Sequence, residues 1–358
     1  MNKIKVLHLV EALGGGVYSY FIDLSSFFGK REGIETYIVF SDKRSEIIPD
    51  KIKDDIHSNV KLIKIDIKKN ISPISDTIAI YKFLKIIKEI KPDVIHLHSS
   101  KAGVIGRISY FLYNRKAKLY YTPHGYAFLR KDISKFNRKI YKVIEGGMKT
   151  FFGGVTIACG DTEYNYSIKL GKSLLIRNGV NISNISKHLQ PHKNKKLTVG
   201  ILGRITYARN PKMFNEIANK LSDLDFIWIG DGELNKSINA KNINITGWFT
   251  DRDIGLSYLN KIDIYIQTSL WEGLPISLIE AITLKKPIVA TNIIGNRDIV
   301  EHGVNGFLFE TIDECVNYIN QLRDENLRES FGESGRKIAK EKFNFEKNFE
   351  SLSQIYLS

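Results

Sequence analysis

The sequence has only two cysteines in 358 residues, Cys159 and Cys315, far apart along the chain. They can build neither a disulfide framework nor a cysteine-based zinc site, and so little cysteine favours a reducing, cytosolic setting. No apolar run approaches the roughly 18–20 residues of a membrane-spanning helix. The first ten residues, Met1–Val10, hold two lysines and a short apolar stretch broken by His8. That falls short of the roughly 7–15 apolar residues and cleavage site of a secretory signal, so the segment reads as a strand. There is no repeat at solenoid period and no low-complexity tract. With 43% hydrophobic and 26% charged residues, disordered and fibrous classes are excluded. The length predicts two domains, in a chain large enough to bury its cores without staples, soluble or at most peripheral to a membrane.

Several catalytic signatures are also missing. Gly14-Gly15-Gly16-Val17-Tyr18-Ser19 follows the first strand as a dinucleotide fingerprint would, but Ser19 occupies the third glycine position. That argues against NAD or FAD and leaves a glycine turn at a helix N-terminus, where a ligand can approach the backbone. Gly171-Lys172-Ser173 resembles the end of a P-loop, yet Tyr166 stands where its first glycine must be. No nucleophile elbow G-x-S-x-G occurs. His96-x-His98 would place two imidazoles on one face of a strand, but no further His, Asp or Glu cluster is evident to complete a metal site. The triplets Asp223-Leu224-Asp225 and Asp251-Arg252-Asp253 sit at loop or helix starts and read as turn formers and caps. No metal is expected.

What the chain has in excess is positive charge, unevenly placed. Residues 1–190 contain 32 Lys and Arg against 17 Asp and Glu, whereas residues 191–358 contain 21 against 22. Residues 101–149 alone contain 12 basic and 2 acidic side chains. A one-sided basic field points to an anionic partner: nucleic acid, acidic lipid headgroups or a phosphorylated substrate.

Short apolar runs alternate with helix-periodic segments throughout. Strands are predicted at 4–10, 37–40, 60–65, 94–98, 119–122, 155–159 and 174–176, then at 198–202, 226–229, 243–246, 264–267, 288–291 and 307–309. Repeated β-α-β with largely apolar strands predicts parallel sheets covered on both faces. The polar stretch Asn184–Lys196, with Pro191, separates the two strand sets. The expected division is residues 1–188, residues 189–343, and an amphipathic helix over 344–358. Ligands of such sheets collect at the carboxyl ends of the strands, and a cleft between two facing domains is the expected site.

Three strand-to-helix junctions carry chemistry. Trp271-Glu272-Gly273-Leu274-Pro275 precedes a helix that contains Glu280, with Pro275 suited to its first position. Backbone N–H groups and a helix dipole there favour phosphate, while the two carboxylates favour sugar or ribose hydroxyls. Gly203-Arg204-Ile205-Thr206-Tyr207-Ala208-Arg209 follows a strand and offers two guanidiniums to a diphosphate. Thr122-Pro123-His124-Gly125 places a histidine at a strand end in the first half.

Together the Glu272…Glu280 element, the Gly203–Arg209 loop and the Thr122–Gly125 turn resemble the retaining glycosyltransferases of family 4. Asp93-Val-Ile-His-Leu-His-Ser-Ser100, Arg177-Asn-Gly-Val180 and Gly230-Asp-Gly-Glu233 are similar to further landmarks of that family, in the same order. The resemblance implies a GT-B fold, α/β, with two facing Rossmann-like doubly wound domains, acceptor side first, and a last helix crossing back to the first domain. It implies that Arg204 and Arg209 hold the donor diphosphate, Glu280 the ribose, and Glu272 with the N–H groups of Gly273 and Leu274 the donor sugar. His124 would sit beside the transferred sugar, Gly15 and Gly16 would admit the diphosphate, and Gly247 would border the base. The family's second phosphate-loop cation is usually lysine, and Arg209 keeps the charge while adding a bidentate fork. The implied reaction retains anomeric configuration and needs no metal or other cofactor.

The donor would be a nucleotide-diphosphate sugar, UDP more often than GDP. The acceptor would be a glycan, with a lipid-diphosphate-linked sugar suiting the basic half, as in capsule, O-antigen or exopolysaccharide assembly. That half would then dock at the inner face of the cell membrane. Two alternatives are a nucleotide-sugar 2-epimerase of the same fold and a basic nucleic-acid-binding protein. The second has no recognised nucleic-acid motif, and no nucleic-acid partner is expected.

Overall fold

The computed structural model describes residues 3–43, 49–68, 70–113, 116–192, 194–249 and 251–358. Met1 and Asn2 of the N-terminal stretch, and Lys193 of the polar stretch, lie outside them. The chain forms two compact units, residues 1–178 with 345–358, and residues 179–344.

In the first unit seven parallel strands run β1 (Ile4–Val10), β2 (Ile34–Phe40), β3 (Lys61–Lys64), β4 (Val94–His98), β5 (Lys118–Thr122), β6 (Val155–Ala158) and β7 (Ser173–Leu175). Their spatial order is β3-β2-β1-β4-β5-β6-β7. The helices between them are α1 (Gly15–Phe28), α2 (Pro49–Asp55), α3 (Pro73–Ile90), α4 (Ser100–Leu112), α5 (Lys135–Phe152) and α6 (Asp161–Ser167). The second unit opens with α7 (Ile182–Ser186). It then builds a six-stranded parallel sheet from β8 (Thr198–Leu202), β9 (Asp225–Ile229), β10 (Ile243–Ile245), β11 (Ile264–Gln267), β12 (Ile288–Thr291) and β13 (Gly306–Phe309). The order is β10-β9-β8-β11-β12-β13. Its helices are α8 (Pro211–Lys220), α9 (Arg252–Lys261), α10 (Ile276–Thr283), α11 (Ile312–Gln321) and α12 (Glu325–Lys342), and α13 (Phe345–Leu357) returns to the first unit.

Both sheets therefore share the doubly wound 3-2-1-4-5-6 order, the first with one strand added. The order reverses between β1 and β4, and again between β8 and β11. Those are the switch points at which such sheets bind ligands.

Alternation along the strands sorts the first unit's core into two layers. Val6 and Val10 join α1, α2 and α13 on one face, while Leu7 and Leu9 join α3 and α4 on the other. His8 shares a face with Val6 and Val10, as do the register partners His96 and His98.

The units divide earlier than residue 188. The Val180 amide donates to the Phe343 carbonyl at 2.9 Å, and α7 packs on α10, so residues 179–188 belong to the second unit's body. The polar stretch is thus a surface connection inside that unit. Pro275 is the residue before α10 rather than its first helical residue, because its ψ of 112° is extended.

Candidate functional site

The loop after β8 is strapped at both ends. Gly203 N donates to Ile229 O at 2.9 Å, Ile205 N to Asp231 O at 2.8 Å, and the Trp228 indole to Gly203 O at 2.8 Å. A Cβ at Gly230 would lie 2.5 Å from Gly203 O, and one at Gly232 would lie 2.3 Å from Ile205 O. The Gly230-Asp-Gly232 turn therefore keeps glycine at the two positions against which the arginine loop lies. At the far end Thr268 Oγ1 donates to Arg209 O at 2.7 Å, and Leu270 N to Ala208 O at 2.8 Å. This second strap ties the loop after β8 to the loop after β11, across the switch point.

Arg209 and Glu272 meet there. The guanidinium lies along Gly203, where a Cβ would come within 3.1 Å of it. Its Nη1 donates to Gln267 Oε1 at 2.9 Å, and its Nε lies 3.4 Å from Glu272 Oε1. Burial pulls this guanidinium down, but the Glu272 carboxylate and the Tyr265 hydroxyl hold it above its ordinary value. The same Glu272 oxygen accepts from Gln267 Nε2 at 3.0 Å and Ser269 Oγ at 2.8 Å. Tyr265 OH fixes the other side of Gln267 at 3.1 Å and bonds Ser277 Oγ at 3.0 Å.

Glu280, buried one turn into α10, is clamped in a similar way. Arg252 Nε and Nη2 both converge on its Oε1, at 2.9 and 2.6 Å. Each glutamate is thus oriented through one oxygen, leaving the geometry of the second oxygen set by the first. Gly273 and buried Leu274 complete the loop into α10, whose first turn carries no side-chain cap. Gly295 presses on it, since a Cβ there would lie 2.4 Å from Gly273 O. Arg204 is half-buried in the strapped loop, and Gly247 takes a positive φ of 77° just beyond β10.

The first unit's switch point carries a cluster of buried imidazoles. Gly15 opens α1 in the left-handed conformation with open space where a Cβ would stand, beside Gly16. Below it runs a chain of imidazoles. His8 Nδ1 lies 3.0 Å from His98 Nε2, and His98 Nδ1 lies 3.0 Å from His124 Nε2, the two rings stacked. His96 bonds Tyr356 OH of α13 at 2.5 Å and Thr122 Oγ1 at 2.8 Å. His124 holds a left-handed φ of 53°, uncommon for a residue with a side chain, and the next amide, Gly125 N, donates to Glu163 at 2.7 Å. Burial lowers every imidazole of the group, His8 to about 3 and His124 to about 4, and His96 and His98 well below the usual range.

The expectation that nothing joins His96 and His98 is overturned. His8 does, since β1 pairs with β4 in parallel with His8 opposite His96, and the three rings' ligand atoms lie within 4.8 Å of one another. Their nitrogens are engaged with each other, His124, Thr122 and Tyr356, except His8 Nε2, which is buried and unpartnered. With every ring nitrogen of the three but one already hydrogen-bonded within the protein, the set reads as a hydrogen-bonded chain. Of the two acidic triplets, Asp251 caps α9 by accepting from Asp253 N, and Asp223 pairs with Arg323 at 2.8 Å.

The sequence reading had not singled out Gln267, Ser269, Arg252, Gly295, His8 or Tyr356. The signal for Gln267 and Ser269 was available, because polar residues abruptly end the apolar strand Ile264-Tyr-Ile. Arg252 carried no signal, because its pairing with Glu280 depends on α9 and α10 lying side by side.

Comparison with known proteins agrees with this fold. The family model described as Glycosyltransferase Family 4 matches residues 14–184, and that described as Glycosyl transferases group 1 matches residues 183–338. An Escherichia coli protein, UDP-Gal:alpha-D-GlcNAc-diphosphoundecaprenol alpha-1,3-galactosyltransferase, is 27% identical over 323 residues, 81% of each chain. The capsular polysaccharide biosynthesis glycosyltransferase CapM of Staphylococcus aureus is 25% identical over 92% of this chain and 91% of its own. Among solved structures, Anabaena HepE in complex with UDP and glucose superposes with a TM-score of 0.77 at 19% identity, over 98% of this chain and 99% of that one.

Proposed function

The chain belongs to the group 1 and family 4 glycosyltransferases with the GT-B fold, and from that premise we propose that it moves a sugar from UDP-sugar to a hydroxyl of a lipid-linked glycan, with retention of configuration and without a metal, in bacterial surface-polysaccharide assembly. The observation that carries the reading is the clamped Arg209–Glu272 pair at the second unit's switch point, beside the uncapped start of α10. The names of the relatives support the donor and acceptor classes, one a galactosyltransferase using UDP-Gal and a diphosphoundecaprenol acceptor, another a capsule enzyme.

Arg204 and Arg209 hold the diphosphate and stabilise the charge that grows as UDP departs. Glu280 takes the ribose hydroxyls, and Gly247 borders the base. Glu272, with the N–H groups of Gly273 and Leu274, orients the donor sugar. The acceptor hydroxyl then attacks from the face the diphosphate leaves, and the departing phosphate takes its proton. Asp251 and Asp223 serve as cap and ion-pair partner, which supports a diphosphate held by guanidiniums rather than by a divalent ion.

His124 supplies a hydrogen bond to a sugar hydroxyl, and the imidazole chain sets which nitrogen donates. An orphaned buried N–H is rarer than an orphaned lone pair, so the unpartnered His8 Nε2 is the unprotonated nitrogen. His8 Nδ1–H then donates to His98, His98 Nδ1–H donates to His124 Nε2, and His124 is left with its proton on Nδ1.

A thermal-shift panel of UDP, GDP, ADP and CMP, with and without EDTA, tests the donor site. UDP at about 100 times its Kd adds roughly 2.7 kcal/mol. The expected result is a rise with UDP alone, unchanged by EDTA and lost in Arg204→Ala. A panel with no shift, or a shift abolished by EDTA, overturns the assignment.

A further inference from the structure

The helix α5 is amphipathic the wrong way round. Beside the partly buried Tyr141, the groups it turns inward are polar: Glu145 accepts from Ser100 and Tyr121 at 2.8 and 2.9 Å, Lys149 donates to Thr156 and the Lys172 carbonyl, and Arg138 donates to the Phe128 carbonyl. Burial raises the Glu145 carboxyl and lowers Lys149 to about 8, which is consistent with both lying in the protein body. The groups it turns outward are apolar. Phe136 and Phe151 are each 72% exposed and Val143 67%, with Ile140 and Ile144 between them. These positions recur at 136, 140, 143, 144 and 151, one face of a 3.6-residue period, on the side opposite Glu145.

The neighbouring helices also expose apolar groups. Phe152 packs edge-on against Phe111 at the end of α4, and α3, which packs on α4, exposes Ile74, Ile78 and Tyr81. Exposed apolar area of this extent marks an interaction site in a soluble domain.

The geometry points to an anionic lipid bilayer as the occupant, with α5 lying in the interface plane and its Phe136–Phe151 stripe inserted. Charge complementarity selects that partner. Lys135, Lys139 and Lys142 are exposed along one edge of the stripe, while the two acidic side chains of residues 101–149 are turned to other uses, Glu145 buried and Asp132 paired with Arg130. A basic edge beside an apolar stripe is the pattern of in-plane membrane helices. A second copy of the chain fits less well, because a two-fold contact would bring these lysines against themselves.

The inference rests on the reading that the enzyme works at a membrane, and one experiment separates the two. The full chain is sedimented with vesicles of phosphatidylglycerol and phosphatidylcholine in equal parts, and with pure phosphatidylcholine, at low and at 0.5 M salt. The variants are Phe136→Ser/Val143→Ser/Phe151→Ser and Lys135→Gln/Lys139→Gln/Lys142→Gln, all at exposed positions of α5. The wild type is expected to prefer the anionic vesicles. The apolar triple variant should partition at least about tenfold less, and the lysine variant should lose the anionic preference. Both should keep the UDP-induced rise in melting temperature, which reports on residues elsewhere. If the wild type binds and the apolar triple binds equally, the membrane reading stands and the role of α5 falls. If the wild type does not bind at all, both fall. A lipid-free wild-type dimer that the apolar triple converts to monomer, seen by sedimentation velocity, would assign the face to a second copy instead.

Discussion

Lowering the pH from 7.5 to 5.5 should destabilise the first unit selectively. His8, His96 and His98 are fully buried, and burial places their folded values far below the unfolded value of about 6.5. In that window the unfolded chain takes up a proton at each site and the folded chain does not, so stability falls as pH falls. The loss continues until the folded values are reached, near 3 for His8 and near 4 for His124. At pH 5.5, one unit below the unfolded value, each buried imidazole contributes a loss of about 1.4 kcal/mol, about 4 kcal/mol for the three. His124, partly buried, adds up to about 1 kcal/mol more.

The rings that pack on the chain do not offset this. Tyr20, Tyr120 and Tyr356 are raised by burial and stay neutral. Glu145, also raised, changes in the opposite sense, its burial penalty being relieved as pH falls toward the carboxylate range. For a unit of this size the net loss corresponds to a fall of roughly 8–16 °C in melting temperature. Calorimetry at the two pH values, with UDP affinity measured alongside, checks it. A first-unit transition that moves by less than about 3 °C would refute the placement of neutral, buried imidazoles.

Two further substitutions probe the donor side. Gly232→Ala would force a Cβ against the Ile205 carbonyl, which is backbone and cannot step aside. It should cost about 1–3 kcal/mol in urea unfolding and weaken UDP binding, because the arginine loop loses its bed. Arg209→Lys keeps the charge but loses the fork that spans Gln267 and Glu272. Its kcat should fall at least about tenfold in a donor-consumption assay while the melting temperature changes little, and unchanged kcat would remove Arg209 from the diphosphate site.

Periodicity made the architecture legible before any coordinates. The inner strands of both sheets correspond to apolar runs, because a parallel strand covered on both faces has to be apolar nearly throughout, whereas the edge strands β3 and β10 carry exposed polar residues. The strand ends drifted by a residue or more where a polar residue continues the pairing, as Lys118 and Asp225 do. Glu272 and Arg204 stood out because each sits beside glycine at a strand-to-helix junction, and Glu280 and Arg209 through their spacing from those two. The unit boundary was read too late because polarity marks solvent exposure and not domain edges. Arg252 and His8 stayed hidden for a shared reason. Each acquires its meaning from a neighbour distant in sequence, Glu280 for one and His96 with His98 for the other, through helix packing or strand register.

The two units repeat one topology and furnish their switch points with opposite electrostatics. In the second, Glu272 and Glu280 each meet a guanidinium, so the site is charged yet internally compensated. Fixed charges of this kind suit a leaving group whose negative charge grows during reaction, because they need not reorganise as it departs. In the first, four imidazoles and a phenol hold one another neutral beneath the Gly15–Gly16 turn. A neutral, directional hydrogen-bond chain suits hydroxyls, which carry no charge to steer but must be aimed. Burial keeps these rings neutral, while Lys135, Lys139 and Lys142 of the same unit lie exposed along α5.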